Sequence, residues 1–510
     1  MPVKKLFCVL FILLCVLFGG NIHAQEFGFG FDDTDEPSVN PPLTAKLGGE
    51  IRTQFIGYVH DFESAEELKV ASLGDIFLGK VNVRASGANV DAFMGINLSA
   101  KSLKDLSQIK NHSSADTPLI LDETYLRVFF GPVNVEAGYR KLFWGKADSL
   151  GPLDVINPLD YSDLTDITDI MTMKIARPLL HVTWSTSGFS KLEAVFTPHF
   201  SGDRFDQEGR WMPSQFSDIP EIIKRELNSR APGKLGLANS FFLLTHADTL
   251  ETTLMEYFNS TPITVPETAG LEYFETGLRY TTSLGGIDLG AQYYYGYLPR
   301  PSWYLDDSIN AFLDDLNKKI DVSDPNSLKN IDPQLLYPYI NFDRYHLIGI
   351  DYAQVLWGFN LRTELAAYLT KDFSGDNGAV KNPFIGWSLG FDRDLVWGIN
   401  ANIQCNETIR LLNSKIGNNK SQDFEAGTEP TSTRLTMVLS KKFLKDNLES
   451  KVTAIWDIEN SDCYVIPAVI WTIKDIKAEI CGGIFAGKKS GELGQYEKNS
   501  FVKLGLNYTF

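Results

Sequence analysis

Phe501-Val-Lys-Leu-Gly-Leu-Asn-Tyr-Thr-Phe510 alternates residue by residue: Val502, Leu504, Leu506, Tyr508 and Phe510 fall on one face, Lys503, Gly505, Asn507 and Thr509 on the other. A β-strand turns successive side chains to opposite faces, so this pattern suits a strand with lipid on one side and water on the other. No stretch after residue 24 reaches the roughly 18–20 continuous apolar residues that a spanning helix requires. Whatever enters a membrane here must be β.

The same alternation recurs upstream. From Thr44 onward one unit repeats: a strand of about ten residues, a tight turn, a second strand and a longer polar connection. The turns are Ala85-Ser-Gly-Ala-Asn89, Gly131-Pro132, Thr186-Ser-Gly188, Leu284-Gly-Gly-Ile287, Leu356-Trp-Gly358, Asp392-Arg-Asp-Leu395, Leu444-Lys-Asp-Asn447 and Lys474-Asp475. Gly, Asn and Asp accept the positive φ that such turns need. With an opening strand at Ala45–Tyr58 and the closing strand at the other end, the pattern predicts an all-β, antiparallel up-and-down transmembrane barrel of about 18 strands (range 14–20) over residues 44–510. Both ends of that barrel then lie on the turn side. A globular β-sandwich would scatter its loop lengths between both ends.

The long connections fall on one side: about 62–74, 100–121, 143–173, 200–270, 298–341, 371–382, 412–432 and 488–499. Only the link at Asn460-Ser-Asp462 is short, which predicts a low point on that rim. Residues 200–270 and 298–341 are expected to be partly helical. Ser217-Asp-Ile-Pro-Glu221 reads as a helix start with Ile222, Ile223 and Leu227 behind it, and Asp307–Lys319 carries Ile309, Phe312, Leu313 and Leu316 at helical spacing.

At the other end, Lys4 and Lys5 precede an apolar run from Leu6 to Phe18, and Ile22-His23-Ala24-Gln25 offers a cleavage site after Ala24. Residues 1–24 read as a secretory signal peptide. Cys15 follows Leu14, where lipoprotein signals carry a small side chain. Residues 25–43 are expected to form a short periplasmic leader or a tail in the lumen, with Phe27, Phe29 and Phe31 before an acidic run; a TonB-dependent transporter would need a far longer plug. The whole chain carries a net charge of −17, which argues against a nucleic-acid partner. Cys405, Cys463 and Cys481 are the cysteines outside the signal segment, without metal-type spacing, and the turn at Lys474-Asp475 does not place Cys463 opposite Cys481. No cofactor, metal or phosphate cradle is expected.

Reading the alternation strand by strand sends Arg52, Lys80, Arg84, Arg127, Glu136, Arg140, Arg279, Arg362, Glu364 and Arg434 to the lumen as candidate pore-lining residues. It adds Lys46, Glu50, Lys191, Glu193, Glu275, Asp288, Lys442, Lys451, Asp457, Lys477, Glu479 and Lys503. A register slip of one residue would put such cations into lipid at roughly 2–4 kcal/mol each at mid-depth. Cations slightly exceed acids: these side chains either pair across neighbouring strands and hydrate the wall, or line a mildly cationic passage that favours small polar or anionic solutes.

Tyr139-Arg-Lys-Leu-Phe-Trp144-Gly-Lys-Ala-Asp148, followed by Asp154-Val-Ile-Asn157-Pro158-Leu-Asp160, resembles a segment that recurs in porin-like bacterial outer-membrane barrels, uncharacterised ones included. The local match covers about twenty residues; the general barrel resemblance covers nearly all of residues 44–510. It implies architecture more than substrate. Trp144, Asp148, Asp154, Asn157 and Asp160 are candidates for a constriction loop folded against the inner wall, and the last three could also form local Asx turns. The final strand resembles the signal read by the barrel-assembly machinery of bacterial outer-membrane proteins, which implies outer-membrane lipid and that machinery as partners.

The expected function is a channel or porin for small solutes. Alternatives are a surface-exposed binding protein (an adhesin or ligand receptor) on a barrel scaffold, or a hydrophobic-solute transporter. His60-Asp61 and His199 with Asp203 could lie near the rim, where a general base would be wanted. No Ser/His/Asn spacing resembles an outer-membrane phospholipase, so an enzyme is not expected. Oligomeric state is not legible.

Overall fold

The computed structural model describes residues 43–63, 76–107, 115–167, 170–186, 188–206, 209–246, 252, 257, 266–324, 327 and 332–510. The signal segment and almost all of the expected leader lie outside these residues.

Twenty strands follow in chain order. They are β1 (Thr44–Tyr58), β2 (Phe77–Ser86), β3 (Val90–Ser99), β4 (Leu121–Phe130), β5 (Val133–Arg140), β6 (Arg177–Ser185), β7 (Lys191–Thr197), β8 (Glu275–Leu284), β9 (Ile287–Tyr297), β10 (Ser302–Tyr304) and β11 (Tyr339–Asn341). Then come β12 (Arg344–Leu356), β13 (Phe359–Thr370), β14 (Phe384–Asp394), β15 (Ile399–Arg410), β16 (Thr431–Phe443), β17 (Leu448–Asp457), β18 (Asp462–Ile473), β19 (Ile476–Ala486) and β20 (Phe501–Thr509). All but the small β10–β11 ribbon join one 18-stranded antiparallel sheet. Each strand pairs with its neighbour in the chain, β9 pairs with β12, and β20 pairs with β1 from Glu50–Thr509 to Tyr58–Phe501. The sheet therefore closes, which leaves no edge with unpaired backbone groups; in lipid each such group costs several kcal/mol.

The register follows the alternation. Val502, Leu504, Leu506 and Tyr508 of β20 face outward and are about half exposed, whereas Lys503 between them is 3% exposed and faces the lumen. Glu50 pairs with Lys80 and Lys46 with Arg84, so the charged rows of β1 and β2 share the inner face. Outside, Phe130, Trp184, Trp357, Trp397 and Trp471 cluster at or near the tight turns and are exposed. Such an aromatic girdle bounds an apolar band where lipid meets water.

The turns depart from expectation in two ways. β14 continues to Asp394, past the expected start of the turn at Asp392, and Trp397 beyond it takes φ +64°. Trp357, Leu444, Lys445 and Lys474 also take positive φ, so the turns are not built from Gly, Asn and Asp alone. The opposite rim carries α1 (Val59–Glu63), α2 (Ala100–Ser107), α3 (Ile170–Met173), α4 (Ser214–Lys234), α5 (Gly236–Thr245) and α6 (Asp306–Lys319). Ile222, Ile223 and Leu227 of α4 pack with Ile309, Phe312, Leu313 and Leu316 of α6 in an apolar core of their own. Between Asp457 and Asp462 the rim drops to a four-residue turn.

Candidate functional site: the loop in the lumen

The connection between β5 and β6, residues 141–176, folds into the barrel. Its entry is fixed by Glu364 on β13, whose carboxylate accepts from the backbone N–H of Lys146, of Ala147 (2.7 Å) and of Leu153 (3.2 Å). Gly145 makes this approach possible: it has φ +112°, and a Cβ there would lie 2.3 Å from Glu364 Oε1. Beside it, Gln404 of β15 accepts from the N–H of Asp148 (2.8 Å) and Ser149 (3.0 Å), and Asn406 donates to the Leu150 carbonyl (2.9 Å). Asp148 binds Arg362 and accepts from Asn402 Nδ2 (2.9 Å). A buried wall carboxylate and amide thus replace the hydrogen bonds that the loop backbone would otherwise lack.

Trp144, 2% exposed, packs with Leu153 and Ile156 against Tyr294, Tyr345, Leu347 and Tyr368 of the wall. Further along, the loop reaches a second arc of the wall. Tyr464 of β18 donates to the Leu164 carbonyl (2.8 Å), Lys503 of β20 to that of Thr165 (3.3 Å), and Arg52 of β1 pairs with Asp166 (2.9 Å). The segment, rooted at β5 and β6, is consequently held by two separate arcs of the wall, β13–β15 and β18, β20 and β1.

Asp154, Asn157 and Asp160 hold the loop in three different ways. Asp154 pairs with Lys174 at 2.6 Å, each side chain 1% exposed, tying the two limbs of the loop together. Burial pushes the Asp154 carboxyl up and the Lys174 ammonium down, so each depends on the other as counter-ion. Asn157 accepts from Leu142 N (2.8 Å) and donates to the carbonyls of Arg140 (2.8 Å) and Ile175 (2.9 Å). Only Asp160 makes the expected Asx turn, accepting from Ser162 N at 3.0 Å. It also meets Arg204 at 3.1 Å; against the opposing effect of burial, that guanidinium holds its carboxyl below the usual range.

All ten candidate pore-lining residues lie on the inner face, and their cations carry acidic partners. Arg84 meets Asp91 (3.0 Å), Arg127 meets Glu136 (2.6 Å), Arg140 meets Glu136 (2.9 Å) and Glu123 (2.8 Å), and Arg279 meets Asp351 (2.6 Å). Lys80 binds Asp122, Arg362 binds Asp392 (2.7 Å), and Arg434 binds Glu492 (2.6 Å). Asp91, Asp351 and Asp392 were missed as wall acids, although alternation within their own strands points to them; Asp122 lies where the pairing of β4 with β3 shifts register between Met94 and Ile96, and strict alternation from Arg127 would send it outward. Among the described residues, Lys46, Lys442, Lys451 and Lys477 have no carboxylate within ion-pair distance; they lie toward the tight-turn end of their strands. Glu449, opposite Lys442 in the register, and Glu479, on the same face of β19 as Lys477, line that half too, so its charge is mixed.

The connection between β19 and β20 also bends inward. Glu492 bridges Arg434 and Arg300 (2.9 Å), and Leu493 and Tyr496 join Trp211, Tyr464, Phe485 and Phe501 in an aromatic cluster. Asp61 pairs with Arg210 (2.9 Å), while Asp203 accepts from Leu159 N (2.9 Å), so both carboxylates flanking the rim histidines are engaged. Cys405, Cys463 and Cys481 are free.

Fold and loop together define a closed antiparallel barrel with one long connection folded into its lumen. Among solved structures the chain is similar to Escherichia coli Wzi, described as an outer-membrane, carbohydrate-binding β-barrel involved in group 1 capsule assembly (10% identity, 91% of this chain and 85% of that one, TM-score 0.44). It is also similar to Acinetobacter baumannii OccAB2 (8%, 92% and 98%, TM-score 0.42) and to Pseudomonas aeruginosa OpdK solved with vanillate (9%, 91% and 98%, TM-score 0.41). No family model matches the chain, and no curated protein does.

Proposed function

We propose that this protein is an outer-membrane channel for small polar or anionic solutes, with the loop of residues 141–176 setting the aperture. The observation that carries the reading is the anchoring of that loop, rooted at β5 and β6, to two arcs of the inner wall, β13–β15 and β18, β20 and β1. It narrows an eighteen-stranded barrel, which at that size is wide enough to enclose water. The apolar outward face and aromatic girdle support a membrane location, and the resemblance of the final strand to an assembly signal supports the outer membrane. The unpaired lysines toward the turn end support a preference for anions, although acids share that half.

Reconstitution of the full chain in planar bilayers tests this. Discrete conductance with anion preference is expected, and cation preference or electrically silent insertion would overturn it. A ligand-binding barrel is the second reading, favoured by the helical cap and by the aromatic packing that fills part of the lumen. Silent insertion combined with saturable binding of an external ligand would select it.

A further inference from the structure

On the outer face of the barrel, at the loop end of β8, β9 and β12, aromatic side chains gather around two basic ones. Along the outward row Arg344 stands opposite Tyr297, His346 opposite Tyr295 and Ile348 opposite Tyr293, while Tyr345 and Leu347 between them turn inward and are buried. The Arg344 guanidinium lies 4.1, 4.5 and 5.3 Å from the ring centres of Tyr297, Tyr295 and Phe274. The His346 ring is centred 4.8 Å from that of Tyr295, and its Nδ1 shares a hydrogen bond with the Tyr293 hydroxyl (2.7 Å).

Arg344 differs from the arginines of the inner wall, such as Arg127 and Arg279, which face carboxylates. It donates to the carbonyls of Phe274 (3.3 Å) and Glu272 and to the Tyr297 hydroxyl, all neutral acceptors; among the described residues neither it nor His346 has a carboxylate within ion-pair distance. A guanidinium carries five N–H donors, so two remain open, together with the whole charge. Rings beside a cation attract it without neutralising it. Next below on the same strands, toward the tight turns, the outward residues are apolar and open: Leu278 is 48%, Ile348 57% and Ile350 55% exposed. A cation framed by rings above an apolar stripe matches, group for group, an anionic head group above an acyl chain.

We infer that this face binds a membrane lipid through a phosphate of its head group. The phosphate lies against Arg344 and takes its open N–H groups, and the acyl chains run along Leu278, Ile348 and Ile350. The lipid belongs to the leaflet on the loop side, because Arg344 opens β12 at that end of the barrel. A neutral head group leaves the guanidinium charge unmatched in the interface, and a free phosphate leaves the apolar stripe uncovered. The site rests on the membrane placement of the barrel and is independent of conduction.

Native mass spectrometry of the detergent-solubilised full chain tests this, with monophosphoryl lipid A, its dephosphorylated form and inorganic phosphate as probes. The phosphorylated lipid should be retained at least about fivefold more than the dephosphorylated one. Arg344→Gln should lower that retention roughly three- to tenfold and Arg344→Lys should restore most of it, whereas Lys319→Gln on the exposed side of α6 should bind as the wild type. If Arg344→Gln loses the heat-modifiable migration of a folded barrel, Tyr295→Leu, which removes one ring beside the cation, should lower retention about twofold. Equal retention of both lipids, or undiminished retention in the folded variants, would overturn the site. Displacement of the lipid by inorganic phosphate would reassign the charge to a free anion, and an oligomer whose lipid content ignores the head group would reassign the face to a second copy; either overturns the inference. Co-sedimentation with phosphatidylcholine liposomes separates the two readings: a chain that does not insert sinks the membrane placement, and one that inserts without discriminating the lipids sinks the site alone.

Discussion

Gly49 and Phe510 exchange both backbone hydrogen bonds, N to O at 3.0 Å in each direction, and the Phe510 ring covers the space where a Gly49 side chain would stand. A Cβ at Gly49 would lie 2.8 Å from Phe510 Cζ and 2.3 Å from the Lys80 carbonyl oxygen. Gly49 thus admits no side chain, because a Cβ there would meet the β2 backbone as well as the Phe510 ring that closes the seam between β20 and β1. Gly49→Val should disrupt it through the Lys80 contact, whereas Phe510→Ala removes only the ring and its stacking on Tyr508 at 6.2 Å. In a heat-modifiability gel, Gly49→Val should unfold at a clearly lower temperature than Phe510→Ala. Equal behaviour would show that the close approach is not limiting.

Gly145→Ala should loosen the constriction. The added methyl strikes Glu364 Oε1, and an alanine at φ +112° is strained besides. Single-channel conductance should rise and ion selectivity should fall, with barrel migration unchanged. Glu364→Gln should act the same way more mildly, since an amide oxygen still accepts while the charge is lost. Unaltered conductance in both variants would mean that the loop does not set the aperture.

Lys174→Met leaves Asp154 buried without its counter-ion. The expected loss is about 3–5 kcal/mol in loop docking, against a much smaller loss in the double variant Lys174→Met/Asp154→Leu. Limited proteolysis within residues 141–176 gives the readout. Cleavage should be fast in the single variant and near wild type in the double one. Strict additivity would refute the coupling.

Glu492 gives the acid response a definite window. Arg434, then Arg300, hold its carboxyl down from the ordinary 4.5 to about 2 against the opposing effect of burial. A depressed folded value means that its contribution is complete above about 4.5 and is lost as pH falls toward about 2. Thermal melts should weaken through this interval in the wild type. Glu492→Gln should be less stable at pH 6 and show a shallower decline; parallel curves would exclude Glu492 as the group responsible.

Alternation made the barrel legible, because a period of two assigns each wall residue to a face whatever the sheet does next. It located Lys503, Glu364 and Arg279 on the inner face, and helical spacing identified Ile309, Phe312, Leu313 and Leu316 as the buried side of α6. A face is not a partner, however. Nothing near Glu364 in sequence says that it will hold three N–H groups of a loop 218 residues earlier. Asp154 and Asn157 were read through their nearest neighbours as turn formers, yet their contacts are Lys174 and the carbonyls of Arg140 and Ile175. The expected surplus of lumen cations shrank for a related reason: Asp392 was assigned to a turn although β14 runs past it.

The docking points of the constriction loop impose an order of events on biogenesis. Glu364, Gln404, Tyr464 and Lys503 lie 218, 256, 300 and 338 residues beyond the loop atoms that they hold. When residues 141–176 are synthesised, none of these anchors has yet followed. The segment must travel as an unsatisfied stretch of backbone until the far half of the sheet arrives, and only the wrapping of the last strands onto the first brings both arcs of the wall within reach. Docking of the loop is therefore a late step, contingent on closure, and a barrel stalled before its seam zips would carry the loop undocked.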